Sequence, residues 1–263
     1  NLGEISEDIL KDEKKFFENG LPIDGDTSKV DYTVWGKVPK QQSTVYAFDN
    51  TAGARLLQDV GLNGLSSDEE KEYLYNYGIR LQIDLRSDFE IEQQPSSLIG
   101  YKDIEYIRID LMKTKNLNVL PKEIANYKDL AGFYIYMLEA NKEQFKELFE
   151  VFYDHPYDAI MFNCSAGKDR TGVVAALLLD LAGCHEYDIV KDYSESYENN
   201  LSLIPELEKI IDAKNHVYLE SEPRMMMELL DYLRSNYGSA KEYLISCGFD
   251  EEKIMDIIEN FTI

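Results

Sequence analysis

The chain has 263 residues, 44% of them apolar, which is enough to bury a sizeable core and excludes disorder as the default. Against 50 Asp and Glu it carries 27 Lys and Arg, a net charge of −23, so its overall field opposes nucleic acid and anionic membrane surfaces. Its three cysteines make no disulfide framework, and no Cys-x-x-Cys or Cys/His cluster has metal-ligand spacing.

Residues 1–31 are polar and acidic and are expected to form a peripheral N-terminal segment. The chain opens at Asn1 without a signal-like apolar stretch, which leaves removal of a leader open, and with it both a cytoplasmic and a secreted location. After Pro39, Val45 to Phe48 reads as a short strand. Ser66, Ser67, Asp68 and Glu69 supply capping and acidic residues for a helix through Tyr73 and Tyr75, which ends near Gly78. The run Ile79 to Leu85 mixes alternation with β-branched residues and predicts a strand; Tyr106 to Ile109 predicts a second. From Tyr127 to Glu150, Phe133, Tyr136, Met137, Phe145 and Leu148 recur at helical spacing, predicting one long helix or two.

Ala159 to Phe162 is a short apolar run with the character of a buried central strand. A loop follows, Asn163 to Arg170, and then a strongly helical stretch from Thr171 to Leu181. That stretch holds the most apolar run of the chain, which Asp180 breaks well short of a membrane span. Three or more further helices are expected up to Ile263. Strands alternating with helices indicate an α/β fold with a central, mostly parallel sheet flanked by helices. The expected organisation is one domain over 1–263, with 183–263 as a helical C-terminal elaboration.

The loop carries the chemistry. A strand feeding a tight turn and then a helix aims backbone N–H groups of Ser165, Ala166, Gly167 and Lys168 inward, where the positive end of the helix adds to them. Such a cradle binds an oxyanion, and Arg170 can offer it a planar fork of two N–H groups. The same field favours the thiolate of Cys164, because a cation or a helix start lowers a thiol pKa from about 8.5 into the range 3.5–7.5. Cys164 is therefore the candidate nucleophile, pre-ionised by the charges that bind the substrate. Lys168 adds positive potential over the pocket or is a solvated loop lysine. Thr171 either bonds the departing thiolate or caps the helix.

The segment Cys164-Ser165-Ala166-Gly167-Lys168-Asp169-Arg170-Thr171-Gly172 resembles the signature loop of bacterial tyrosine and lipid phosphatases of the atypical dual-specificity type. Ile83 to Glu90, followed by Pro95, is similar to the upstream Asp-Leu-Arg-Ser segment of that family. Asp188 to Ser194 and the stretch from Tyr237 to Gly248 are similar to its C-terminal pattern, so the resemblance spans roughly residues 20–263. It implies a protein-tyrosine-phosphatase-like fold and hydrolysis of phosphate monoesters through a cysteinyl-phosphate, with no cofactor and no metal. The implied partner is a phosphorylated protein or small phosphorylated molecule; neither nucleic acid nor stable membrane binding is expected.

Two departures stand out: Asn163 occupies the place of the usual His before the nucleophile, and Tyr46-Ala47-Phe48-Asp49 lies where the family has an Arg.

A leaving alkoxide or phenoxide needs a proton, and two carboxyls compete to supply it. Asp169 shares the loop with Cys164 and Arg170 and is favoured; its alternative is to brace the loop. Asp84 ends a strand, where sites of open α/β sheets gather; its alternative is to pair with Arg86. His155, His185 and His216 have no triad-like or metal-like companions in sequence and are read as bystanders, and Met225 to Met227 as core. Three functions follow: a protein-tyrosine or dual-specificity phosphatase, a phosphoinositide or inositol-phosphate phosphatase, and a catalytically weak phosphate-binding module.

Overall fold

The computed structural model describes residues 55–58, 68–93, 95–112, 130–200 and 221–262, all of which lie in one compact unit, Val45–Ile263. The expected peripheral segment 1–31 and the strand at Val45 to Phe48 fall outside these residues. Four strands, β1 (Arg55–Gln58), β2 (Ile79–Asp84), β3 (Glu105–Arg108) and β4 (Ala159–Asn163), form a sheet in the order β1-β4-β2-β3. Every pairing in it is parallel. The α/β architecture read from the sequence is the one observed.

Central position explains the composition of β4 and β2. All five residues of β4 are buried, and Ile79, Leu81, Ile83 and the following Leu85 are wholly inaccessible. A strand covered on both faces gains burial from every apolar residue, which is why β4 reads as a continuous apolar run. β1 was not legible in the sequence: Arg55-Leu56-Leu57-Gln58 is four residues long, too short to show a period.

Among the described residues nine helices accompany the sheet. α1 (Asp68–Tyr77) precedes β2, and α2 (Asp88–Gln93) follows it. The stretch expected as one helix or two is two, α3 (Leu130–Ala140) and α4 (Lys142–Asp154). They part at Asn141, where φ is −120° and the buried side chain turns back, Nδ2 donating to the Met137 carbonyl at 2.9 Å. An Asn that bonds its own preceding turn competes with continuation of the helix. In α4, Phe145, Leu148, Phe149 and Phe152 fall at the spacing of one helical face, and all are buried. Their rings meet Tyr243, Phe249 and Phe162 edge-on, tying α4 to β4 and to the C-terminal helices.

α5 (Arg170–Leu181) is buried around most of its circumference. Four helices follow: α6 (Glu186–Asn200), α7 (Pro223–Asn236), α8 (Ala240–Ser246) and α9 (Glu251–Thr262). α7 packs against α3 and α6, while α5 packs against α6 and α8. Met225, Met226 and Met227 are all buried. No helix among the described residues is long and apolar enough to cross a membrane.

The register brings the site together. Asp84 of β2 stands opposite Asn163 of β4 and Arg108 of β3, so three parallel strands end side by side. The chain leaving β4 enters the Cys164 loop, and the chain leaving β2 enters α2.

Candidate active site

The loop from Cys164 to Asp169 turns on Gly167, whose φ of 67° is left-handed and strained for any residue with a side chain. α5 then starts with Gly172 N–H on the Lys168 carbonyl at 3.1 Å and Val173 N–H on that of Asp169 at 2.9 Å. The positive end of α5 is thus presented to the loop. Cys164 is 2% exposed. Thr171 is wholly buried in the first turn, and its hydroxyl has no hydrogen-bond partner among the described residues.

Arg170 is held by a residue to which sequence reasoning gave no role. Glu90 of α2 receives Arg170 Nη1 on Oε2 and Nη2 on Oε1, both at 2.7 Å, a buried two-point pair. The Ser165 hydroxyl also donates to Glu90 Oε1. On the other side, Ser87 donates both its N–H, at 2.9 Å, and its hydroxyl, at 2.8 Å, to Oε2. Burial alone would push the Glu90 carboxyl up, but the Arg170 cation, Ser165 and the Ser87 N–H together hold it at about 2. Burial likewise opposes the Arg170 charge, and Glu90 and Cys164 more than offset it. A guanidinium has five N–H donors, so the pair with Glu90 orients the fork and leaves other donors for a ligand. Glu90 sits within the stretch that resembled the family, but no local spacing says that it crosses to Arg170.

Asn163, in the place of a His, belongs to a chain of buried amides. Ser96 Oγ donates to Gln82 Oε1 at 2.7 Å, Gln82 Nε2 donates to Asn163 Oδ1 at 2.7 Å, and Asn163 Nδ2 donates to the Cys164 carbonyl at 3.3 Å. The Cys164 carbonyl is therefore braced from β2 through β4.

The two candidate acids differ sharply. Asp84 is wholly buried, and Arg86 binds both its oxygens, at 2.9 and 3.1 Å through Nε and 2.7 Å through Nη2. The Arg86 N–H and the Tyr106 hydroxyl add bonds of 3.1 and 3.0 Å. Asp169, with its side chain 23% exposed, is in the loop itself. Its Oδ1 accepts Lys168 Nζ at 2.6 Å and the Tyr134 hydroxyl at 2.7 Å. Lys168 is 4% exposed and paired with Asp169, so it is not a solvated loop lysine.

The structure thus brings Cys164, Ser165, Lys168, Asp169, Arg170 and Thr171 onto one loop and helix start, and sets Asp84 beside them with its carboxylate turned to Arg86. His155 pairs with Asp158 at 2.9 Å and takes no part in the loop's bonds. Among the described residues no three His, Cys, Asp or Glu side chains cluster in a way that could hold a metal ion. Cys184 and Cys247 are free and half-buried.

The family model for the tyrosine phosphatase family matches residues 55–263. A tyrosine-protein phosphatase of Nostoc commune is 32% identical over 209 residues, covering 74% of this chain and 70% of that protein. A second relative, from Cupriavidus necator, whose name includes tyrosine-protein phosphatase, is 33% identical over 90 residues, which is 34% of this chain and 31% of its own.

Proposed function

Since the chain belongs to the tyrosine phosphatase family, and is therefore a phosphatase with a phosphorylated substrate, we propose that it hydrolyses protein phosphotyrosine through a phosphocysteine at Cys164. The observation that carries this reading is the buried two-point pair between Glu90 and Arg170. It fixes the guanidinium of Arg170, the first residue of α5, beside the Cys164 loop. A planar fork fixed in advance costs little reorganisation when charge develops on the phosphoryl oxygens.

The chemistry follows in two steps. The Cys164 thiolate forms a bond to phosphorus as the bond to the ester oxygen breaks, and Asp169 gives its proton to that oxygen. Water then attacks the phosphorus, Asp169 takes a proton from it, and the sulfur leaves as thiolate. Thr171, buried with no partner for its hydroxyl, is suited to donate a bond to that thiolate. Loop N–H groups of Ser165, Ala166, Gly167 and Lys168 and the Arg170 fork hold the phosphoryl oxygens throughout. In this reading Asp169 is the acid. Asp84, with both oxygens taken up by Arg86 at zero exposure, is the brace that fixes the turn after β2.

Substrate choice follows from charge. Each described cation about the loop faces a carboxylate: Lys168 faces Asp169, Arg170 Glu90, Arg86 Asp84, and Arg108 both Asp88 and Asp110. That arrangement suits one phosphate rather than the several of a polyphosphoinositide, and the net charge of −23 also disfavours an anionic lipid surface. The brace on Asn163 favours a working nucleophile over a passive phosphate-binding module.

A panel of phosphotyrosine, phosphoserine and phosphothreonine peptides, soluble inositol phosphates and phosphoinositide vesicles tests the reading. Phosphotyrosine peptides are expected to give the highest kcat/KM. Comparable rates on phosphoserine would make the enzyme dual-specific, and a preference for inositol phosphates or vesicles would overturn the assignment.

A further inference from the structure

Behind Asp169 lies a short line of buried phenols that the chemistry above does not use. Tyr134 of α3 is wholly buried, and its hydroxyl donates to Asp169 Oδ1 at 2.7 Å. The hydroxyl of Tyr193, on α6, stands 2.7 Å from that of Tyr134, and the two rings meet edge-on at 5.8 Å. Because the one proton of Tyr134 is committed to Asp169, Tyr193 is the donor of that pair. Burial, reinforced by the negative Asp169, raises the pKa of both phenols above the ordinary 10, so both stay protonated donors throughout the neutral range.

The line is built in by neighbouring residues. Gly172 of α5 admits the Tyr193 ring: a Cβ at 172 would lie 3.1 Å from Tyr193 Cδ2, tighter than an ordinary Cβ contact, so the ring would have to shift. On its far side the Tyr193 hydroxyl lies 3.7 Å from Met225 Sδ of α7. α3, α6 and α7 therefore fix the two phenols against the start of α5.

Tyr134 and Lys168 both bond Oδ1, and Oδ2 has no partner among the described residues. A carboxyl with one oxygen fixed by two donors cannot rotate freely and cannot exchange the roles of its oxygens. Oδ2 is then the oxygen that carries the transferable proton, held at one place relative to the loop. We infer that Tyr134, backed by Tyr193, is a positioning residue that orients the Asp169 carboxyl for proton transfer to the leaving group. This rests on reading Asp169 as the acid.

The test compares Tyr134→Phe, Tyr193→Phe and Asp169→Asn on aryl phosphates ranging from an activated nitrophenyl ester to phosphotyrosine. Loss of the acid is expected to cost roughly 10²–10⁴ on the poor leaving group and little on the activated one. Tyr134→Phe keeps the ring and removes one hydrogen bond to a charged group; it should lower kcat on phosphotyrosine about tenfold, spare the activated ester and leave KM within about twofold. Tyr193→Phe should give the same leaving-group dependence, more weakly, and carries the test if the first variant folds poorly. Equal losses on all esters, or none, in both phenol variants would make the tyrosines packing residues and overturn the inference, while a selective loss in Asp169→Asn would keep the acid assignment. If Asp169→Asn itself shows no selectivity, the acid assignment falls and the positioning role with it.

Discussion

In the proposed mechanism Glu90 is the residue on which the grip of Arg170 on phosphate depends. Its carboxylate orients Arg170 and accepts from Ser165 on one side and Ser87 on the other; Glu90, Arg170 and Ser87 are buried and Ser165 is half-buried. Glu90→Gln keeps the shape but replaces one acceptor by a donor, leaving the Arg170 charge buried without its counter-ion. Breaking a buried pair costs about 3–5 kcal/mol, so the variant should be markedly less stable at pH 7, and its kcat/KM should fall about 10- to 100-fold as the fork loses its anchor. The sign with pH follows from the lowered pKa. A carboxyl held at about 2, against roughly 4.3 unfolded, stabilises the fold above that unfolded value and loses the effect as pH falls toward 2. Denaturant midpoints at pH 7, 5 and 3 should therefore show the gap between wild type and variant narrowing in acid; a gap independent of pH would contradict the account. The loop residues could be read from the sequence because they are contiguous and each does what its chemistry allows. Glu90 to Arg170 and Tyr134 to Asp169 are contacts across 80 and 35 residues, which no local pattern encodes.

At the scale of elements, the strands β2 and β4 and the helices α1 and α5 were legible because apolar runs, caps and periods agree there. The division between α3 and α4 was left open, since Asn141 interrupts a periodic pattern without Gly or Pro to mark a stop. α6 carries a feature invisible in its sequence. Asp192 is 7% exposed, and burial, with Glu195 nearby, pushes its carboxyl up to about 7. The folded state thus holds this proton more tightly than the unfolded chain, whose Asp titrates near 3.9. That contribution to stability is complete below about pH 4 and is lost as pH rises through about 7. Asp192→Asn stays neutral at every pH. Its Tm should exceed that of wild type at pH 8 by several degrees, corresponding to no more than about 4 kcal/mol, and the two should converge below about pH 4. An Asn variant less stable than wild type at pH 8 would show that the ionised carboxylate has a role in the fold.

Across the whole molecule, a protein of net charge −23 gathers Lys168 and Arg170 at the proposed phosphate site and balances each with a carboxylate. The parallel sheet makes this possible: β2 and β4 end together, so α2 and the Cys164 loop meet, and Glu90 can reach Arg170. Composition indicated the acidic envelope and the loop indicated the cradle, and the Arg86–Asp84 pair was already open to the sequence, but the pairing of Arg170 with Glu90 became visible only in three dimensions. The central claim is that phosphate passes through Cys164. A rapid denaturing quench during turnover of a phosphotyrosine peptide labelled with radioactive phosphate, followed by mapping of the labelled fragment, tests it most directly. The account predicts label on Cys164 approaching one phosphate per chain when hydrolysis of the intermediate is slow, and none in Cys164→Ser, which should still bind the peptide but not turn it over. Turnover with no label at Cys164, or near wild-type turnover in Cys164→Ser, would contradict it.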